Sequence, residues 1–387
     1  MTGEKPRTNR RKVLKGIGIG SGLASFSEMR AARKIPMVGS ANSNTVKVLH
    51  IIKQNEVIRW REVPQSWYEH INSYKRAINS IQDKYLGQVG VLGISGVRWD
   101  KQFGGKNGLQ IKFDIHPDQF EGSIPGSVDG IPVIKNETKE EYETVDCDNL
   151  DSFNPTPGGV TIEPKSDDNR GTSFGKVKTS SGNVGLMTAY HVIGGDCGND
   201  ISGDAADQSC TKWGNVIDYD DDVDYAVIEP DSSYDAERKI REPDGTEYEI
   251  AGHYGETTIC DFAANGTYLR KVGTSTGLHE GRVQNCHVQR SSCPSLDGHG
   301  VETSIETAGG DSGGPVYRLD DSFSPGTACV IVNHSVVGVN ETCTSSWQSC
   351  MSCDSSSCIS EGDFDEYSGV AGTAFYRLSS NYGLSIN

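Results

Sequence analysis

Apolar positions along this chain follow two different periods. In SWYEHINSYKRAINSIQDKYLG (66–87), Ile71, Tyr74, Ile78, Ile81 and Tyr85 step by three and four, the spacing that gathers side chains on one face of a helix. A helix is predicted there. VGVLGISGV and GLQIKFDI follow, and in the second Leu109, Ile111, Phe113 and Ile115 alternate strictly with other residues, as a strand with one buried face requires. With further strands at TVKVLHII and GIPVIKN, the order predicts a small α+β domain over residues 41–135, of a size that folds alone. The polar stretch KNETKEEYETVDCDN reads as a linker over 136–150. From residue 151 to 387 short apolar runs are broken by Gly, Asn, Asp and Ser, the pattern of a β-sandwich or barrel.

Composition agrees with strands and turns rather than helices. There are 46 glycines in 387 residues and a hydrophobic fraction of 35%. The net charge of −17 excludes nucleic acid as a partner, since phosphate binding needs clustered Lys and Arg. Acidity of this order suits a salt-rich habitat.

Residues 1–40 differ in kind. TNRRKVLKG is basic and is followed by IGIGSGLASF, too short and too polar to span a bilayer. This segment reads as an export signal, and Arg10 and Arg11 with Leu14 and Lys15 resemble the twin-arginine type that exports folded proteins. No small-residue cleavage site stands out near SEMRAARK. All 11 cysteines lie from Cys147 onward, which favours an oxidised framework in a secreted or cell-surface protein. Cys197 with Cys210, and Cys286 with Cys293, are spaced as local staples. Cys343, Cys350, Cys353 and Cys358 form a cluster that suits disulfides and could also hold zinc.

The candidate chemistry begins at ETAGGDSGGPVY (306–317), where four glycines surround one serine. Glycine costs about 1 kcal/mol in regular elements, so the backbone itself has a task here. A serine hydroxyl needs a base to take its proton. His191 in GLMTAYHVIGG sits where an apolar run ends in small residues. The base in turn needs an orienting carboxylate, and of the five aspartates in DYDDDVDYAVIEP only Asp224 leads directly into an apolar strand. The other four are expected as solvated surface charge.

TAYHV, DYAVI and GDSGGP, in that order, resemble the three signature segments of the trypsin-like (chymotrypsin-fold) serine proteases. GTSFGKV, KVGTSTGLHEGRV and GTAFYRLSSNYGLSI are similar to an early barrel strand, a bacterial-branch strand and a closing helix of that family. The resemblance implies a mainly β fold of two six-stranded barrels, with His191 and Asp224 from the first and Ser312 from the second. It implies a secreted serine endopeptidase with no cofactor and no metal in its site, acting on protein or peptide substrates through an acyl-enzyme. Gly310 and Ser312 would supply the oxyanion-binding N–H groups, and Asp311 would meet either a new amino terminus or an internal partner. Counting on the trypsin pattern puts Glu306 at the pocket floor, which would favour Lys or Arg, whereas His334 near the same pocket would favour an acidic residue. Plain surface charge is the leading expectation for Glu306. Tyr190, in place of a small residue, would narrow the site. IPGSVDGIPV resembles the ending of small modules ahead of bacterial and archaeal serine hydrolases, so the α+β domain is expected as an intramolecular propeptide or a passive structural domain. The competing class is a catalytically silent, secreted binding protein on the same fold.

Overall fold

Strands β1 (Thr45–Lys53) and β2 (Glu56–Pro64) pair antiparallel and lead straight into helix α1 (Gln65–Tyr85). Pro64 precedes the first helical residue, where its missing N–H costs nothing. The helix buries Ile71, Tyr74, Ile78, Ile81 and Tyr85, and Trp67 extends that face by a turn. Strand β3 (Val91–Phe103) turns through Gly104 and Gly105, both left-handed, into antiparallel β4 (Lys106–Ile115). The alternating Leu109, Ile111, Phe113 and Ile115 are all buried. After β5 (Ser127–Val128), β6 (Ile131–Glu137) lies parallel to β4. Strand β2 was not expected, and the reason is plain: its Val57, Ile58 and Trp60 are exposed and Glu56, Arg59, Arg61 and Glu62 interrupt any apolar alternation.

The structure, a computed structural model, describes residues 44–386 apart from 55, 87, 118, 121, 138–151, 165–169, 195–196, 210, 291–294, 308, 320–326 and 336–366. The proposed export signal, the cysteine cluster at 343–358 and all of the proposed linker except Asn136 and Glu137, which end β6, lie outside the described residues. No described helix is long and apolar enough to cross a membrane.

The middle of the chain folds as β7 (Thr156–Gly158), β8 (Thr161–Pro164), β9 (Gly171–Thr172), β10 (Gly175–Lys178), β11 (Val184–Thr188), α2 (Tyr190–Gly194), β12 (Ala205–Gln208), β13 (Thr211–Asp220) and β14 (Tyr225–Pro230). Pairing runs β8–β12–β13–β14–β11–β10, and β9, which leads into β10, pairs back onto β8. Counting β9 and β10 as one stave, the sheet closes on six. The remainder is β15 (Ala236–Arg241), β16 (Glu247–Tyr254), α3 (Glu256–Asn265), β17 (Tyr268–Gly273), β18 (Gly277–Arg290), β19 (Gly300–Thr307), β20 (Pro315–Leu319), β21 (Thr327–Ser335), β22 (Tyr367–Ala374), α4 (Phe375–Tyr382) and β23 (Ser385–Ile386). Here β17 pairs β18, β18 pairs β19, β19 pairs β22, β22 pairs β21, β21 pairs β20 and β20 returns to β17. That is a second closed ring of six. The fold class read from the sequence, mainly β with two six-stranded barrels behind an α+β segment, is the fold observed.

The α+β segment shares its sheet with the second barrel. Strand β3 pairs the end of β18, and β1 pairs β16 through Ile51 and Tyr254. One continuous core joins Trp67, Ile71 and Phe113 to Ile259, Val283 and Val316. Asp261 of α3, almost fully buried, accepts Arg61 at 2.6 Å and Lys106 at 2.7 Å. The described residues from Asn44 onward accordingly form one compact unit.

Two stability predictions follow from this shared core. Trp67 is fully buried and donates its indole N–H to Asn107 O at 2.9 Å, so Trp67→Ala is expected to cost about 3–5 kcal/mol and to lower the melting temperature of the barrel signal as well as the helix signal in circular dichroism. Burial holds His70 and His253 at a pKa of about 4, below the ordinary 6.5. The unfolded chain then binds these protons first, so stability is expected to fall as pH drops from 6.5 toward 4; denaturant midpoints across that window check it.

Candidate active site

Three segments bring three side chains to one point. Strand β11 ends at Thr188, whose hydroxyl donates to Thr172 O at 2.9 Å, and the chain turns at once into α2, placing His191 at the barrel's rim. Asp224 precedes β14 with a left-handed φ of 53°, which non-glycine residues adopt only under constraint. The constraint is Asp220: its Oδ1 accepts the N–H groups of Asp222 and Val223, both at 3.1 Å. Ser312 lies between the second barrel's β19 and β20 and is 4% exposed.

The resulting chain of hydrogen bonds is continuous. Asp224 Oδ2 and Oδ1 lie 2.9 and 3.0 Å from His191 Nδ1, and Oδ1 also accepts the His191 backbone N–H at 3.0 Å. On the far side of the ring, Nε2 lies 2.8 Å from Ser312 Oγ. Asp224 has no exposed surface, whereas the His191 side chain keeps 30%. Burial alone would lower the His191 pKa, but the charge of Asp224 and its hydrogen bond outweigh it and the pKa is raised above 6.5.

The loop around Ser312 is fixed from behind. Ser275 Oγ donates to Gly309 O, Thr172 Oγ1 and Thr274 Oγ1 donate to Gly310 O at 2.7 and 2.8 Å, and Thr172 N–H donates to Ser312 O at 2.7 Å. In a trans peptide the N–H points opposite to the carbonyl, so anchoring Gly309 O on Ser275 turns the Gly310 N–H away from it. Gly310 has φ 96°, and a Cβ there would overlap Ser275 Oγ. Only glycine fits.

Asp311 anchors the loop. It and Lys271 are both fully buried and form an ion pair. The carboxylate also accepts the N–H groups of Ser275 (2.9 Å) and Thr276 (3.1 Å) and the hydroxyls of Thr276 (2.7 Å) and Thr307 (3.1 Å). The partner of Asp311 is therefore internal. Sequence reasoning did not single out Lys271, Thr172, Thr274 or Ser275, although three of the four lie in the KVGTSTG segment it quoted; a lysine directly before a Gly-Thr-rich turn was the available signal.

Other expectations need correction. Tyr190 does not narrow the site: it is fully buried in the first barrel and its hydroxyl donates to Asn199 O at 2.9 Å. Of the four aspartates expected as solvated charge only Asp222 is exposed, and burial with the neighbouring Asp222 and Asp221 pushes Asp220 up to about 6. Cys286 is a free buried thiol rather than half of a staple with Cys293. Glu306 stands opposite Ser368 and His334 opposite Gly372, so both flank β22; their side chains lie outside the described structure.

No family model and no curated protein matches the chain. Solved structures do. The chain is similar to the crystal structure of Thermobifida fusca protease A, at 20% identity and a TM-score of 0.39, covering 59% of this chain and 96% of that one. Cellulomonas bogoriensis chymotrypsin is 16% identical with a TM-score of 0.38, covering 60% and 98%. A glutamic acid-specific serine protease that uses a histidine triad in substrate binding is 16% identical with a TM-score of 0.39, covering 60% and 100%. These neighbours are chymotrypsin-fold serine proteases.

Removing one partner of a buried ion pair leaves an uncompensated charge. Lys271→Met is expected to destabilise the protein by about 3–5 kcal/mol, and Lys271→Met combined with Asp311→Leu by clearly less; urea unfolding of the three chains checks the order.

Proposed function

We propose that the protein is a serine endopeptidase that acts outside the cell on protein or peptide substrates. The observation that carries this reading is the unbroken contact from Asp224 through His191 to Ser312. An imidazole with a raised pKa, bonded to a hydroxyl on one nitrogen and a buried carboxylate on the other, is equipped to take the hydroxyl proton. Ser312 Oγ attacks the substrate carbonyl and His191 Nε2 receives the proton. Asp224 holds the ring in the required tautomer and stabilises the imidazolium. The N–H groups of Gly310 and Ser312 hold the oxyanion, the imidazolium protonates the leaving amine, and an acyl-enzyme on Ser312 remains. Water, deprotonated by His191, releases the acid. No metal or cofactor is needed for any step.

A fluorophosphonate probe is expected to label the full chain and not its Ser312→Ala variant. Equal absence of labelling in both, in high and low salt, would move the silent binding protein ahead. Because the attack needs neutral His191, the labelling rate is expected to fall as pH drops through a pKa above 6.5. Asp224→Asn is expected to lower kcat by about 10^4-fold, the size of effect that loss of this carboxylate has in such triads. Peptides differing at the residue before the cut separate the pocket candidates: cleavage after Lys or Arg assigns Glu306, cleavage after Asp or Glu assigns His334.

A further inference from the structure

Away from the triad, three metal-ligating side chains meet in the core between the α+β segment and the second barrel. Cys260 of α3 and Cys286 and His287 of β18 are buried, and their donor atoms all lie within 4.8 Å of one another. Cys286 and His287 are sequence neighbours, which a regular strand would send to opposite faces. They converge because β18 bulges here: His287 has a left-handed φ of 55°, and the register slips between Cys286 and Val288 against β19 and between Cys286 and Gln289 against β3. Bulges of this kind re-aim side chains and carry backbone strain that needs a reason.

The donor geometry supplies one. Cys260 Sγ is 3.7 Å from His287 Nε2, and ligands about 2.0–2.3 Å from a tetrahedral ion stand about 3.6 Å apart. Glu256, one helical turn before Cys260, brings Oε1 within 2.9 Å of the same Nε2 and pairs its other oxygen with Lys75 of α1 at 2.7 Å. The ring of Tyr74 stacks on the imidazole at 5.6 Å. His287 Nδ1 is buried without a hydrogen-bond partner, so the ring is oriented by its Nε2 edge. With both cysteines as thiolates, the charges of the two sulfurs and Glu256 are balanced by a divalent ion and Lys75.

We propose that Cys260, Cys286 and His287, with Glu256 as fourth donor, form a buried structural site for a thiophilic divalent ion of the zinc class, which ties α3 to β18. Binding releases the two thiol protons and the Nε2 proton that His287 donates to Glu256, and forms two sulfur bonds, one nitrogen bond and one oxygen bond to the ion, with no change of oxidation state. The site is closed and distinct from the triad, so the ion contributes to folding rather than to peptide cleavage.

The full chain carrying Ser312→Ala, which prevents self-cleavage, is produced in medium containing zinc or cobalt(II) as the added metal and assayed by plasma mass spectrometry. The expected result is one equivalent per chain. The cobalt form is expected to show thiolate-to-metal charge transfer and the visible bands of a tetrahedral ion. Both signals are expected to survive joint replacement of Cys343, Cys350, Cys353 and Cys358 by Ser, and the metal content to fall at least tenfold in Cys260→Ser with Cys286→Ser. Should that double variant not fold, the cobalt spectrum of the chain lacking the 343–358 cysteines decides alone. Folded protein without metal, metal that follows the 343–358 cysteines instead, or a Cys260–Cys286 disulfide in peptide mapping would each overturn the site.

Discussion

An aspartate and a lysine, neither with any exposed surface, sit directly behind the serine. Removing both charges from water is costly, and such a pair persists only where geometry and further hydrogen bonds satisfy it. Here two backbone N–H groups and two hydroxyls complete the coordination of Asp311. The consequence reaches the triad, because the same turn (Thr274–Thr276) that caps Asp311 also grips the carbonyls of Gly309 and Gly310. Position of the serine, orientation of the adjacent amides and closure of the second barrel are thus one problem with one solution.

How much of this was legible depended on whether the determining interaction was local. The face of α1 and the alternation of β4 could be read because periodicity is local and both segments bury one side. Asp224 could be read because it leads directly into Tyr225–Pro230, four of whose residues are buried. Lys271 could not be assigned to Asp311, since the partner lies 40 residues on and a lysine before a turn ordinarily faces water. The pairing of Cys286 with Cys293 was suggested by proximity in sequence, but the bulge at His287 turns Cys286 inward toward Cys260. Strand β2 was invisible because Val57, Ile58 and Trp60 are exposed and Val63 alone of its apolar residues enters the core.

The α+β segment is bound to the rest by mixed means. Backbone pairing at β3–β18 and β1–β16, a shared apolar core, and the carboxylates of Asp261 and Glu256 all act across the same boundary. Apolar burial is non-directional, whereas strand register and buried ion pairs admit one alignment. Together they fix this segment's position and not merely its association.

Strand β18 pairs β17 along its first part, and its end lies between the barrel strand β19 and β3, all within one continuous sheet. The residues it joins, Asn285 to Val97 and Arg290 to Gly93, are nearly two hundred positions apart in the chain. Contacts of such sequence separation form late, since loop closure must precede any gain from pairing. Strands β1 and β3 have hairpin partners close by in β2 and β4, yet their other edges are paired only once β16 and β18 have been made. Until then those edges of β1 and β3 stand open, and an open strand edge is a template for unwanted pairing between chains.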